Sequence, residues 1–254
     1  MSKIFRINLA NKIFMHKCFY GHDMKVGTLE LSQSESHHLC NVMRAQIGSA
    51  ITVLNGKGFH AHGMLAVADG KSAQIRIESI DKFNPHDYPI TLLQAVLKGS
   101  NNDYIVREAT AIGVSEIIFF ETQNTECKLR GKIDNKLLRW QQTAIEACKQ
   151  SGNPFLPKIS YFERLESIDL LPFGIKLFGG LKGNTQPIKK VLSFHLPQSS
   201  ICMAIGPEGD FSPSEYAYLT QNDFIECRLT HHNVLRSETA AIYALSVLDQ
   251  LTNF

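Results

Sequence analysis

At 254 residues, 44% hydrophobic and 20% charged, the chain can bury a core as one large domain or two small ones, and no low-complexity tract marks it as disordered. Its apolar runs, such as ICMAI at 201–205, fall far short of the roughly 20 residues a membrane helix requires, and the opening MSKIFRINLANKIF does not resemble a secretory signal, so a cytoplasmic protein is expected. Net charge is only +2, but residues 1–85 carry ten Lys and Arg against six Asp and Glu, while the remainder carries 16 against 18, which leaves a basic first segment able to attract phosphate.

In chain order, the first third reads as short strands. TLEL (28–31) precedes a helix start at Ser32, where Ser32 and Glu35 have capping-box spacing. AITVL (50–54), the turn NGKG (55–58) and FHAHGMLA (59–66) read as a hairpin, because Asn-Gly between alternating strands supplies the left-handed turn dihedrals. AQIRIES (73–79) alternates again, with Ala73, Ile75 and Ile77 on one face. Short alternating strands of this kind predict a small β-barrel over residues 1–85.

KFNPHDYP (82–89) reads as a linker, and a second domain is expected over residues 86–254. There the apolar runs become continuous: 90–97, 116–121, 175–180, 201–206 and 224–229. They alternate with helical stretches near 101–113, 134–151, 184–193, 213–221 and 237–251. Fully apolar strands separated by helices predict an α/β fold with a parallel sheet.

Six cysteines at wide intervals form no CxxC pair, which fits reduced core thiols better than a zinc site. The histidine pairs His37-His38, His60 with His62, and His231-His232 lack Cys or carboxylate partners at ligand spacing, so no metal centre is expected. Neither GxGxxG, GxxxxGK[ST] nor GxSxG occurs, which counts against dinucleotide enzymes, P-loop NTPases and α/β-hydrolases.

Ligands of open α/β sheets bind beyond the C-terminal strand ends. Three loops stand there: FGGLKG (178–183), IGPEGDF (205–211) and THHNVLRSETA (230–240). Gly179, Gly180, Gly206 and Gly209 let backbone approach a ligand closely, although each could equally serve a turn alone. Ser212, Pro213 and Glu215 then open a helix with a cap, a first-turn proline and a capping-box acid.

GPEG (206–209) together with VLRSETA (234–240) resembles the signature of RsmE-type 16S rRNA (uracil-N3) methyltransferases. Further blocks are similar to that family in the same order: 34–58 to its PUA-like RNA-binding segment, 93–120 and 139–154 to its middle region. The resemblance implies a C-terminal SPOUT domain with a trefoil knot, a PUA-like N-terminal domain, a homodimer, and S-adenosylmethionine as cofactor for methylating a uridine N3 in rRNA of the small ribosomal subunit. By the same resemblance, cofactor contacts are expected from Leu177, Phe178, Gly179, Gly180 and Leu181, from Ile205, Gly206, Pro207, Glu208 and Gly209, and from Leu229, Thr230, Asn233, Val234 and Leu235. The sequence departs from the family at Ala111 and Ile112, at Asp210, where a second glycine is usual, and at Thr230, where the last loop normally opens with glycine. The last helix, 240–251, is apolar over most of its circumference, so either the domain core alone or a partner subunit must cover it.

Methylation of uridine N3 requires loss of a weakly acidic proton and spreads negative charge onto the flanking carbonyl oxygens, which calls for a cation and possibly a base. Arg236 is the first candidate for the cation, with a salt bridge to Glu238 or Glu208 as its structural alternative; Glu238 and Glu208 are candidate proton acceptors or helix-start anchors. For RNA, Arg6, Arg44 and Lys57 in the first domain are the candidates, with Lys128 and Arg130 in the five-cation stretch 128–139. A non-catalytic RNA-binding assembly factor, with Asp210 and Thr230 closing the pocket, and a SPOUT enzyme acting on another RNA are the alternatives.

Overall fold

The computed structural model describes residues 16–126, 128–129, 131–181, 185–194 and 200–252. The chain divides into two compact units between Asn84 and Pro85.

In the first unit β1 (His16–Phe19), β2 (Gly27–Glu30), β3 (Ala50–Leu54), β4 (Phe59–Val67) and β5 (Gln74–Lys82) form one sheet in the order β1-β3-β4-β5-β2. β1 runs parallel to β3, and the other pairs are antiparallel. The Asn55 side chain accepts hydrogen bonds from the backbone amides of Lys57 (2.9 Å) and Phe59 (3.1 Å), which closes the predicted β3–β4 turn. Ala61, Leu65, Ala73, Ile75 and Ile77 are all buried, as their alternation requires, and share a core with Leu39 and Ala45. At Gly63, beside a register shift between β4 and β5, a Cβ would run into the Arg76 carbonyl, so only glycine permits this approach of the strands.

Ser32 caps α1 (Gln33–His37) by accepting from the Glu35 amide. The Glu35 carboxylate accepts from the Phe19 amide at 3.0 Å, tying the helix start to β1. A π-helical turn, His38–Val42, follows, and two residues beyond it Arg44 has a φ of 54°, in the left-handed region.

The second unit holds a seven-stranded sheet in which every pairing is parallel. Its strands are β6 (Ile90–Ala95), β7 (Glu116–Phe120), β8 (Lys158–Phe162), β9 (Ile175–Gly179), β10 (Gln186–Pro187), β11 (Ile201–Ile205) and β12 (Ile225–Arg228), in the order β10-β12-β9-β11-β6-β7-β8. Every residue of β6 and β11 is buried, which explains their uninterrupted apolar runs. Alternate residues feed two cores. One gathers Leu92, Ile117, Phe119, Leu177 and Met203 with α2 (Asn101–Ile112), α3 (Ile133–Ser151), α4 (Ile188–Phe194) and α6 (Ser237–Thr252). The other gathers Leu93, Ile118, Phe120, Phe178 and Ala204 with α5 (Pro213–Gln221) and the segment 165–170. The α/β class with a parallel sheet is thus as read from the apolar runs.

Three strands have no counterpart in the expected elements: β1, β8 and β10. β1 buries only Cys18, β8 is half-buried at a sheet edge, and β10 is a two-residue edge strand ending at Pro187. The helix expected from 184 begins at Ile188, and residue 184 lies outside the described residues.

Among the described residues no helix is long and apolar enough to cross a membrane. Cys18, Cys148, Cys202 and Cys227 are buried among core side chains, and Cys127 lies outside the described residues.

Candidate active site

β9, β11 and β12 end side by side at one edge of the sheet, because β9 pairs with both of the others. The loops that leave them enclose a cleft of about 310 Å³. Its walls include Gly179, Gly180 and Leu181 from the first loop, Ile205, Gly206, Pro207 and Glu208 from the second, and Leu229, Thr230, Asn233, Val234 and Leu235 from the third. The three glycine-bearing loops therefore converge. Leu177 and Phe178 lie beneath, fully buried in opposite cores. Gly209 is outside the lining, and a Cβ there would sit 3.2 Å from the Asn124 Cβ, so its missing side chain makes room for a neighbouring loop. At Gly180 a Cβ would overlap the Glu226 carboxylate.

Asp210 also lines the cleft but does not fill it. Its φ of 60° is left-handed, a conformation that Asp tolerates better than most residues. Its carboxylate is turned aside: Oδ1 accepts from the Phe211 amide at 2.8 Å and Oδ2 from the Tyr216 hydroxyl at 3.0 Å. The Tyr216 hydroxyl in turn accepts from the Leu181 amide at 3.0 Å, so one chain of hydrogen bonds joins the first and second loops. Thr230 closes its own turn by donating to the Asn233 carbonyl.

α5 opens as its sequence predicts. The Ser212 side chain accepts from the Glu215 amide, and the Glu215 carboxylate accepts from the Ser212 amide at 2.8 Å.

Among the described residues the arginines lining the cleft are Arg236 and Arg228, and Arg236 is exposed. Glu238 is not in the lining; its Oε2 is buried with no hydrogen-bond partner among the described residues. At the first turn of α6, the Ser237 hydroxyl donates to the Gly206 carbonyl and accepts from Gln94 Nε2 at 3.0 Å. Gln94, fully buried on β6, thereby fixes the rotor that holds a backbone carbonyl of the cleft. Ser237, Gln94 and Arg228 were not anticipated. Ser237 sits inside the VLRSETA block and was within reach of that resemblance, whereas the Gln94 link spans 143 residues and has no local signal.

The expected RNA contacts fall on both units. Arg44 and Lys128 are exposed. Lys57 is half-exposed, with its Nζ 3.9 Å from Asp23 Oδ1. Arg6 and Arg130 lie outside the described residues. Lys98, in the loop after β6, pairs with Glu126 at 2.9 Å; that hydrogen bond and charge, with Glu208 beyond, raise its pKa. Among the described residues no group of three or more His, Cys, Asp or Glu side chains is arranged to hold a metal ion.

The fold and cleft are those of an RNA methyltransferase: residues 84–249 match the RNA methyltransferase domain family, and residues 31–78 match the RNA methyltransferase PUA domain. The chain is 27% identical to the ribosomal RNA small subunit methyltransferase E of Bacillus subtilis over 89% of its length and 91% of the relative's. It is 30% identical to ribosomal RNA small subunit methyltransferase E 2 of Borreliella burgdorferi, over 85% and 88% of the two chains. A methyltransferase of Legionella pneumophila, solved in complex with its bound cofactor SAM, superimposes with a TM-score of 0.86 at 26% identity, covering 94% of this chain and 98% of that one. The chain belongs to the RsmE family of ribosomal RNA small subunit methyltransferases.

Proposed function

We propose that the protein methylates N3 of a specific uridine in the 16S rRNA of the small ribosomal subunit, with S-adenosylmethionine as donor, in the cytoplasm. The observation that carries this reading is the convergence of the three loops after β9, β11 and β12 on one cleft, in a chain whose Legionella relative holds SAM.

The residues suit that cofactor. The floor at Gly179 and Gly180 has no side chains, and a Cβ at Gly179 would lie only 3.2–3.3 Å from Ile205 and Leu229, so the cradle is shaped by backbone. Gly179 to Leu181, Ile205 to Glu208, and Leu229 with Thr230 and Asn233 to Leu235 would hold the cofactor, with Leu177 and Phe178 supporting the floor and Gly209 shaping the second loop. Bound there, S-adenosylmethionine supplies an electrophilic methyl group. The chain's own task is to hold a uracil in line with it and to favour the N3 anion.

Arg236 places a cation at the cleft, where it stabilises negative charge on the uracil carbonyl oxygens as the N3 proton departs, and Arg228 adds to the positive field. Glu208, at the cleft wall, is better placed to accept that proton than Glu238, which lies outside the lining and in the first turn of α6. The first unit supplies RNA affinity through Arg6, Arg44 and Lys57, and the second through Lys128 and Arg130.

The C-terminal segment is read as threaded in a trefoil knot, and the chain as a homodimer. Ala241, Ala244, Leu245 and Leu248 of α6 are covered by the chain itself, whereas Ile242, Val247 and Leu251 stay half-buried and Tyr243 is 43% exposed, leaving a face for a second copy. An assembly factor with a closed cofactor site is disfavoured by Asp210, whose carboxylate is held on Phe211 and Tyr216 while the cleft stays open.

The test has two parts. N3-methyluridine mapped in 16S rRNA from cells lacking the gene should be missing at one position; unchanged methylation removes the substrate assignment. Arg236→Ala should keep the fold and most of its affinity for S-adenosylmethionine and lose about 100-fold or more in kcat, the loss typical of removing one oxyanion-stabilising donor; full turnover refutes its role.

A further inference from the structure

The described residues of the loop that follows β7 do not line the cleft, yet they are held by several side-chain hydrogen bonds. At its base the buried Glu121 carboxylate accepts from the Leu129 amide and from the Tyr161 hydroxyl, both at 2.7 Å. Its turn is closed by Thr125, whose hydroxyl oxygen accepts the Thr122 amide at 2.9 Å. The Gln123 amide donates to Glu215 Oε1 at 2.8 Å and its side chain to Ser214 at 3.0 Å, which docks the loop on the start of α5. From this anchored platform Asn124 Nδ2 reaches two successive carbonyls, those of Gly209 (3.0 Å) and Asp210 (2.9 Å). Only the amide nitrogen can face two carbonyl oxygens, so the orientation of the side chain is determined by its partners.

Those two carbonyls belong to the turn that carries Glu208 and Asp210 on the cleft wall, and one of its residues stands in a left-handed conformation. A single donor shared by two carbonyls on one side of a tight turn holds them at a fixed spacing. Gly209 lacks the side chain that would crowd Asn124, so the glycine and the asparagine are complementary parts of one contact.

We propose that Asn124 is a positioning residue for methyl transfer: it holds the Gly209–Asp210 turn in the shape that receives the cofactor, without touching cofactor or substrate. The inference rests on the cofactor reading given above.

The experiment is calorimetric titration of S-adenosylmethionine into the wild type, Asn124→Ala and the isosteric Asn124→Asp, with steady-state methylation of small-subunit ribosomal RNA alongside. Losing two neutral hydrogen bonds of ordinary net strength should weaken cofactor binding about tenfold in Asn124→Ala. Asn124→Asp should bind more weakly still, because a carboxylate would then face two carbonyl oxygens. The KM for S-adenosylmethionine should rise in parallel, while kcat at saturating cofactor and the KM for the RNA substrate stay at wild-type values, a split that a general loosening of the fold does not produce. Equal cofactor affinity in all three proteins overturns the inference, as does a fall in kcat with unchanged affinity. Absence of cofactor binding by the wild type itself overturns the functional reading instead.

Discussion

Tyr216 donates its hydroxyl hydrogen to Asp210 across 3.0 Å and with the same oxygen accepts the Leu181 amide, so a single side chain holds two walls of the cleft together. Burial is the main reason its pKa is driven far above the ordinary 10.0, which keeps the hydroxyl a donor throughout the physiological range. Tyr216→Phe keeps the ring among Phe178 and Phe211 and removes the hydroxyl that makes the link. Calorimetry should show cofactor affinity falling about fivefold with little change in unfolding midpoint, in line with the loss of one or two hydrogen bonds. At the other end of the link, Asp210→Gly should be more stable than Asp210→Ala by about 1 kcal/mol in urea denaturation, because alanine bears the left-handed backbone cost that glycine escapes. Identical midpoints would mean that the φ of 60° carries no cost.

Arg44 presents a different balance. It is exposed and stands at φ 54°, where glycine would be easier to accommodate. Retaining a long cation at a costly backbone position fits a residue kept for binding rather than for folding. Arg44→Gly should therefore raise stability by up to about 1 kcal/mol. It should at the same time weaken RNA binding and lower the slope of log affinity against log salt by about 0.7, as expected when one phosphate contact is lost. A variant that is less stable, or that binds RNA with an unchanged salt slope, would contradict this assignment.

Cys148 and Cys227 supply a pH prediction. Burial pushes both thiols from an ordinary 9.0 up to about 12. Between those values the unfolded chain has released protons that the folded chain still holds, so stability must fall as pH rises from 9 toward 12 and is unaffected by these groups below 9. The Cys148→Ala, Cys227→Ala double variant should show a shallower loss of unfolding free energy between pH 8 and pH 10.5. In the native wild type, both thiols should resist alkylation at pH 8 on the timescale at which urea-unfolded protein reacts fully.

Much of the second unit was legible because its signals are local. Continuous apolar runs report strands buried on both faces, and Ser212, Pro213 and Glu215 spell a helix start whose capping box forms as read. Asn55 and Gly56 mark the β3–β4 turn for the same reason. Edge strands with one buried residue, such as β1, emit almost no periodic signal. The convergence of three loops followed from the general geometry of parallel sheets, whereas the identity of the ligand came from resemblance and not from spacing. Asn124 and Gln94 were illegible because their partners lie 85 and 143 residues away. Gly209 shows the ambiguity of glycine: its place in GPEG marks a special position, but only the fold shows that the space serves Asn124.

The bond from Gln94 to Ser237 joins the first strand of the second unit to its last helix. Synthesis proceeds from the amino end, so every strand of the sheet is made before the helix that secures the Gly206 carbonyl. A polypeptide that stopped short of α6 would thus lack the Ser237 hydroxyl that secures the Gly206 carbonyl, and its cleft would be missing one wall.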